Sequence, residues 1–208
     1  MRHWFNFPLH VRNEVKRHIN NAIERTDPRR YNQESQYITS LLAKLEGELY
    51  EDDIYKIQII ATVMDDRGKK SAESIWGADF AITADIMDNY KNLRIIKAIL
   101  FQAKMSTSDL KSKKLKQQII KMKKLTKSPK VLIVNPVGNN RYPYVCSGNK
   151  VLIGSKYTKE KLAEYFTKRI LTTFDGDTRK SFVDVVQNSG LPQIHLSIID
   201  KRDFYKFV

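Results

Sequence analysis

Three polar side chains within residues 76–105 have the chemistry to assist hydrolysis. Asp79 lies in one apolar segment, and Gln102 and Lys104 lie at the end of a second one. Side chains alternate along a β-strand, so Gln102 and Lys104 are expected to project from the same face of their strand. A carboxylate, an amide oxygen and an ammonium group that meet at one edge of a small sheet can hold a divalent metal ion and a water molecule beside a phosphodiester.

The elements that must position these side chains follow from hydrophobic periodicity. Two strands, at about 77–87 and 93–105, predict an antiparallel hairpin joined through a polar turn. The period then changes, and residues 109–126 predict a helix with one apolar and one lysine-rich face. A short buried strand at 131–134 completes a βαβ crossover.

The rest of the chain adds elements on both sides of this unit. Residues 9–25 predict a basic amphipathic helix, a second helix begins near residue 32 and is closed by Gly47, and residues 54–64 predict a strand. Towards the C-terminus, the expected elements are a short strand at 151–153, helices at 157–174 and 178–188, and a strand at 193–199. Residues 137–150 are rich in turn formers. We therefore expect a single α/β domain over residues 1–208, with a mixed central β-sheet flanked by helices.

The charge balance points to a polyanionic partner. Lys and Arg number 37 against 23 Asp and Glu, which gives a formal net charge of +14 and a pI near 9.7. No apolar run approaches the roughly 20 residues of a spanning helix, so no membrane association and a cytoplasmic protein are expected. Cys146 is the only cysteine, and the histidines at positions 3, 10, 18 and 195 have no spacing typical of a zinc site.

The pattern of an acid or glutamine two residues before a lysine occurs at least three times, and context separates the examples. Glu14 and Lys16 lie on a predicted helix, where side chains two residues apart diverge. Asp109 precedes Lys111 at the start of another helix, where a carboxylate caps the first turn. Only the pair at 102 and 104 ends an apolar strand and has a carboxylate on the neighbouring strand.

With these pieces the sequence resembles the PD-(D/E)xK nuclease superfamily in its Q-x-K form. The resemblance rests on Glu34 in a helix, on Gly-Ala-Asp-Phe at 77–80 and on Phe-Gln-Ala-Lys at 101–104, and it covers about residues 30–135. The basic helix at 9–25 and an extension at about 137–208 lie outside it. The resemblance implies a restriction-endonuclease-like core. It also implies a metal-dependent DNA endonuclease, similar to the nuclease modules of bacterial anti-phage defence and restriction systems.

The resemblance also implies a role for each site residue. Asp79 and the Gln102 oxygen would bind Mg²⁺, or Mn²⁺ in its place, and the Ala103 carbonyl would be a third ligand. Lys104 would orient or help to deprotonate the attacking water and offset charge on the phosphorane. Glu34 would complete the metal shell or hold a second cation.

The chain departs from the family pattern at two positions. Ala78 stands where the family has proline, which affects only the backbone before the aspartate. Gln102 replaces an acid, which removes one negative charge from the first shell of the cation. A neutral amide oxygen still coordinates Mg²⁺, but the affinity should be lower and more of the shell should be water.

Structural roles for the same residues stay open at this point. Asp79 could be a turn carboxylate, and Lys104 could solvate the edge of a sheet. Glu34 could act only as an early-turn charge of its helix. The additional acid could instead be Glu46, Glu48 or Glu73.

A lysine-rich helix follows the motif and is the predicted contact with double-stranded DNA. Residues 111–130 contain nine lysines and no acid, so the run lacks the glutamates that usually stabilise a solvated helix face. The predicted phosphate-contacting residues are Lys111, Lys113, Lys114, Lys116, Gln117, Lys121, Lys123 and Lys124. Charge alone fits a second hypothesis equally well: a non-catalytic DNA-binding or assembly subunit on the same fold. A homodimer, or a sensor or regulatory partner protein, is a further expectation.

Overall fold

The computed structural model describes residues 5, 7–63, 72–134 and 142–202 of the 208-residue chain. Its helices are α1 (Leu9–Glu24), α2 (Glu34–Leu45), α3 (Ala72–Trp76), α4 (Lys113–Leu125), α5 (Gly148–Leu152), α6 (Leu162–Tyr165) and α7 (Lys180–Gln187). Its strands are β1 (Gly47–Glu51), β2 (Tyr55–Thr62), β3 (Phe80–Asp88), β4 (Leu93–Lys104), β5 (Lys130–Ile133), β6 (Tyr144–Ser147), β7 (Glu160–Lys161) and β8 (Gln193–Asp200). Short 3₁₀ turns form at Pro28–Arg30 and Ser108–Lys111, and a π-turn at Phe166–Ile170 continues α6.

The described strands form one mixed sheet in the order β1-β2-β8-β3-β4-β5-β6-β7. The pairs β3–β8 and β4–β5 are parallel, and the other neighbours are antiparallel. The prediction of an α/β protein with a mixed sheet flanked by helices is therefore confirmed. The sheet is larger than expected, and β4 is an interior strand rather than an edge strand.

The predicted hairpin and crossover are both present. Strands β3 and β4 pair in register from Phe80 opposite Phe101 to Asp88 opposite Leu93. The turn between them has Asn92 at φ 48°, a left-handed conformation that asparagine tolerates better than most residues. Helix α4 then returns the chain to β5, which lies parallel to β4. The local hydrophobic pattern was sufficient to predict this unit, because its strands and helix follow one another directly in the chain.

The strand predicted near the C-terminus lies in the middle of the sheet. Strand β8 is inserted between β2 and β3. Its alternate residues Ile194, Leu196 and Ile198 are buried, which is the pattern that predicted a strand. That pattern says nothing about partners, so the central position of β8 was not foreseen.

Helices cover the two faces of the sheet with separate clusters of apolar side chains. On one face, α1, α2 and α6 pack over a cluster that includes Phe101 and Ala103 of β4. On the other face, α4, α5 and α7 pack over a cluster that includes Ala98 and Leu100. Alternation along β4 therefore sends successive side chains into different layers. No helix in the described ranges is long and apolar enough to span a membrane.

Three local predictions for the C-terminal part were wrong. Residues 151–153 do not form a strand; Val151 is buried within α5, and Ile153 is 74% exposed after it. Residues 137–141 of the turn-rich region lie outside the described part of the chain, and its described part contains strand β6, which pairs with β5. The single helix expected at 157–174 is shorter and interrupted. The chain stays extended to form β7 against β6, and α6 then passes into the π-turn.

Candidate active site

The pairing of β3 with β4 brings Asp79 beside Gln102. The Asp79 backbone N–H donates to the Phe101 carbonyl at 2.8 Å, one residue before β3 begins. The Oδ2 atom of Asp79 accepts from the Gln102 side-chain Nε2 and, at 2.6 Å, from the Ala103 backbone N–H. Asp79 and Gln102 therefore lie side by side, but the contact uses the Gln102 amide nitrogen and not its oxygen. They lie at the ends of two interior strands and not at the edge of a small sheet.

Gln102 is fully buried and only partly hydrogen-bonded. Its Nε2 donates to Asp79 and, more weakly, to the Ala103 carbonyl at 3.3 Å. Its Oε1 has no hydrogen-bond partner among the described residues, although the residue is 0% exposed. An unsatisfied buried acceptor costs about 1–3 kcal/mol, so this oxygen calls for a water molecule or a cation nearby.

Lys104 is buried beside Glu34. Its Nζ lies 3.0 Å from Glu34 Oε2, and the lysine is 5% exposed. The other carboxylate oxygen of Glu34 accepts from the Met105 backbone N–H at 3.3 Å. A buried, ion-paired lysine does not solvate an edge, so that interpretation of Lys104 is wrong. Glu34 is the first residue of α2, and it joins this helix to the end of β4.

The other acidic candidates lie away from the site or outside the described part of the chain. Glu46 is exposed just after α2, and Glu48 lies on β1, with its carboxylate 3.6 Å from Lys56. The side chain of Glu73 lies outside the described part of the chain. Among the described acids considered from the sequence, Glu34 alone contacts Lys104.

The two triplets set aside on geometry have local partners. Glu14 forms an ion pair with Arg17 on α1. Asp109 accepts from the Ser106 backbone N–H at 3.0 Å and from the Ser106 hydroxyl at 3.1 Å, so it closes the 3₁₀ turn before α4. Neither carboxylate contacts the site at the ends of β3 and β4.

A glycine brings α4 against the segment that carries Asp79. Gly77 has φ +73°, and a Cβ atom at this position would lie 2.4 Å from the Gln118 carbonyl oxygen of α4. Any side chain would therefore force the helix away from the start of β3. Lys121 adds a second link, because its Nζ donates to the Ser74 carbonyl at 2.6 Å. Helix α4 is thus fixed close to the candidate site.

The polar face of α4 is exposed, as predicted, but its lysines are not equivalent. The exposed residues that make no ion pair with the described residues are Lys113, Lys114, Lys116, Lys123 and Lys124, together with Lys111 in the preceding turn. Gln117 is also exposed, whereas Lys121 is tied to α3. Lys130, at the end of the nine-lysine run, is buried and lies 2.5 Å from Asp175. It therefore contributes to the core and not to a binding surface.

A second buried lysine on β4 was missed at the level of sequence. Lys97 is 1% exposed, and its Nζ donates to the carbonyls of Ile170 at 2.6 Å and Asp175 at 2.9 Å. Burial lowers the pKa of Lys97 to about 7, although the charge of Asp175 acts in the opposite direction. The signal was present, because a lysine stands within the apolar run at 95–100.

Comparison with known proteins gives no matching family model, no curated relative and no matching solved structure. The chemistry of the site is therefore judged on its own residues. Within the described part of the chain, no group of three or more His, Cys, Asp or Glu side chains is arranged to hold a metal ion. The oxygen donors at the site are two carboxylates, one backbone carbonyl and the Gln102 amide.

Proposed function

We propose that this protein is a metal-dependent DNA endonuclease built on a restriction-endonuclease-like core. The observation that carries the proposal is that two contacting pairs, Asp79 with Gln102 and Lys104 with Glu34, lie at the end of β4 and come from three separate elements. Lysine-rich α4, fixed beside them through Gly77, supports a polyanionic substrate. The resemblance to defence and restriction nucleases supports an effector role against foreign DNA.

The oxygen atoms at the site are suited to a hard divalent cation, which they would bind with low affinity. Magnesium prefers oxygen ligands and retains several waters, and the Asp79 carboxylate, the Gln102 oxygen and the Ala103 carbonyl are oxygen donors within one short stretch of the hairpin. The unpartnered Gln102 Oε1 is the observation that favours a bound cation here. Glu34 would complete the shell. When bound, Mg²⁺ or Mn²⁺ would polarise the phosphoryl oxygens and lower the pKa of a water molecule.

The protein side chains would supply orientation and charge. Lys104 would donate hydrogen bonds to the attacking water and to the non-bridging phosphate oxygens, which carry increasing negative charge as the bond to water forms. Glu34 would hold the Lys104 ammonium in position at the end of β4. Asp79 would be oriented for metal binding by the hydrogen bond that its Oδ2 accepts from the Ala103 backbone N–H.

The rival hypothesis, a non-catalytic DNA-binding subunit, is favoured by one observation. Asp79 already accepts two N–H donors, and Lys104 already has a carboxylate partner, so the network is largely satisfied internally. A structural role would need no metal and no water. The two hypotheses make opposite predictions for cleavage and the same prediction for binding.

Cleavage of supercoiled plasmid in Mg²⁺ or Mn²⁺ tests the proposal. We expect nicking or linearisation by the wild type and a loss of about 100-fold or more for Asp79→Asn. DNA binding, measured by fluorescence anisotropy in EDTA, should change little. The matched control is Asp85→Asn, because Asp85 lies on β3, which follows Asp79 directly, but pairs with Arg94 at 2.6 Å. A wild type that binds DNA yet cuts with neither metal would establish the rival.

A further inference from the structure

Most described arginines are neutralised by a carboxylate, but Arg30 is not. The paired ones are Arg17, Arg29, Arg94, Arg169, Arg179 and Arg202. Arg30 is exposed and makes no ion pair with any described residue. Arg12 and Arg25 also lack such a partner, but Arg30 is the one that precedes Glu34 by only four residues.

The contrast between Arg30 and its neighbour Arg29 is the sharpest in the chain. Arg29 Nε lies 3.0 Å from Asp27 Oδ1 and Arg29 Nη2 lies 2.7 Å from Asp27 Oδ2, which is a two-point ion pair. The two arginines are adjacent, equally charged and both exposed. One guanidinium is committed to a carboxylate within the chain, and the other is available to an external anion.

The segment that carries Arg30 is held firmly against α2. Pro28 is buried, and Asp27 caps the 3₁₀ turn by accepting from the Arg29 backbone N–H. After the turn, the Tyr31 hydroxyl donates to Ser40 Oγ at 2.7 Å, and the Tyr31 ring packs edge-on against Tyr37. The backbone at Arg30 is therefore pre-organised, which lowers the entropic cost of using it to hold a ligand.

Arg30 is close to the candidate site and belongs to the opposite layer from α4. Four residues span at most about 14 Å, so the Cα atom of Arg30 lies within that distance of the Glu34 Cα atom. Glu34 contacts Lys104 directly. Helix α2 packs on one face of the sheet and α4 on the other. The segment that carries Arg30 therefore leads into the layer of α2, and the unpaired lysines belong to the opposite layer.

We propose that Arg30 is a second phosphate anchor, which holds the DNA backbone on the α2 side of the site while α4 holds it on the other side. This inference rests on the proposed function, because it assumes a polynucleotide at the ends of β3 and β4. A guanidinium suits this position, since its planar fork donates two hydrogen bonds to a single phosphate. The substrate backbone then crosses the site from one sheet face to the other.

Anisotropy titrations of a labelled DNA duplex at several salt concentrations, in EDTA, test the anchor. We expect Arg30→Gln to weaken binding roughly five- to tenfold at low salt and to reduce the slope of log K against log salt by about 0.9. Arg29→Gln is the matched control and should leave both quantities unchanged, because its charge is already neutralised. Arg30→Lys should keep the slope and lose part of the affinity. Thermal melting of each variant checks that the fold is intact.

The outcomes separate the anchor from the nuclease itself. If the wild type cuts DNA but Arg30→Gln and Arg29→Gln bind it equally, the anchor is refuted and the proposed function stands. If the two variants weaken binding by the same factor, the effect is one of net charge, and the anchor is again refuted. A wild type that neither binds nor cuts DNA would instead remove the proposed function and the anchor together.

Discussion

Two lysines on β4, Lys97 and Lys104, are both almost completely buried, and the structure holds them in different ways. Lys97 faces the layer of α6 and donates to two backbone carbonyls, while Gly176 packs against its aliphatic stem. Lys104 faces a carboxylate, and the fully buried Gln102 beside it keeps an unpartnered oxygen. Burial alone therefore does not distinguish a structural lysine from a candidate catalytic one. What differs is a neighbouring group, because the Gln102 oxygen beside Lys104 has no hydrogen-bond partner among the described residues.

The surroundings of Lys97 form a buried polar network centred on Asp175. The Asp175 carboxylate accepts from Tyr165 at 3.0 Å and from Ser128 at 3.2 Å, and it pairs with Lys130. Burial alone would raise the pKa of Asp175, but the charge of Lys130 and the hydrogen bonds from Lys130, the Gly176 backbone N–H and Tyr165 hold it below its usual value. This network joins β4, β5 and the π-turn region, and we assign it to stability.

The largest predicted difference between the two lysines is in cleavage. We expect Lys104→Met to reduce the single-turnover rate of DNA cutting by about 100-fold or more, because the variant loses the charge that we propose to stabilise the transition state. Lys97→Met should retain cutting within about threefold, since Lys97 lies seven residues away along the strand, roughly 23 Å. Rates are compared per folded molecule, with the folded fraction taken from urea titrations. Equal losses of cleavage rate in the two variants would contradict different roles for Lys97 and Lys104.

The hairpin and the lysine-rich helix were predictable because their signals are local. The alternation of apolar and polar residues predicted the strands around Asp79 and Gln102, and the change to a helical period of apolar residues predicted α4. The position of β8 was not predictable, because a strand pattern does not specify its partners across more than 100 residues of chain. Strand β6 was hidden among turn-forming residues for the same reason, since its pairing with β5 decides its conformation.

The sequence was sufficient to predict which residues form the candidate site, but not their burial or their contacts. The sequence indicated Asp79, Gln102 and Lys104, but the burial of Gln102 and Lys104 depends on how strands and helices pack around the end of β4. The choice of Glu34 over Glu46 or Glu48 depends on how α2 meets the end of β4, which no spacing in the chain encodes. Lys97 shows the converse, because a charged residue in an apolar strand was visible, but its carbonyl partners were not.

A substitution at Gln102 tests whether the surroundings of Lys104, unlike those of Lys97, bind a cation. In EDTA, Gln102→Glu should destabilise the protein by about 2 kcal/mol, because a second carboxylate is buried beside Asp79. Excess Mg²⁺ should restore most of that loss, since a bound cation offsets the repulsion. Urea unfolding with and without Mg²⁺ measures both effects. The control is Gln58→Glu, because Gln58 is half-buried on β2 and lies away from the site. Its stability should not depend on Mg²⁺. If the stability of Gln102→Glu is equally independent of Mg²⁺, no cation binds beside Gln102.

The smallest predicted effect is a pH dependence that belongs to Lys97. Its pKa is about 7 in the folded protein and 10.5 in its ordinary state, so between these values the unfolded chain binds more protons than the folded one. The free energy of unfolding should therefore rise with pH across this window, by up to about 1 kcal/mol per pH unit from this group. The carbonyls of Ile170 and Asp175 keep their partners throughout, because a neutral amine still has two N–H donors. In Lys97→Met this part of the pH slope should disappear, and urea titrations of both proteins from pH 7 to 9 measure it. Identical slopes in the two proteins would mean that Lys97 does not titrate in this range. The core would then stabilise its charged form enough to offset the effect of burial on its pKa.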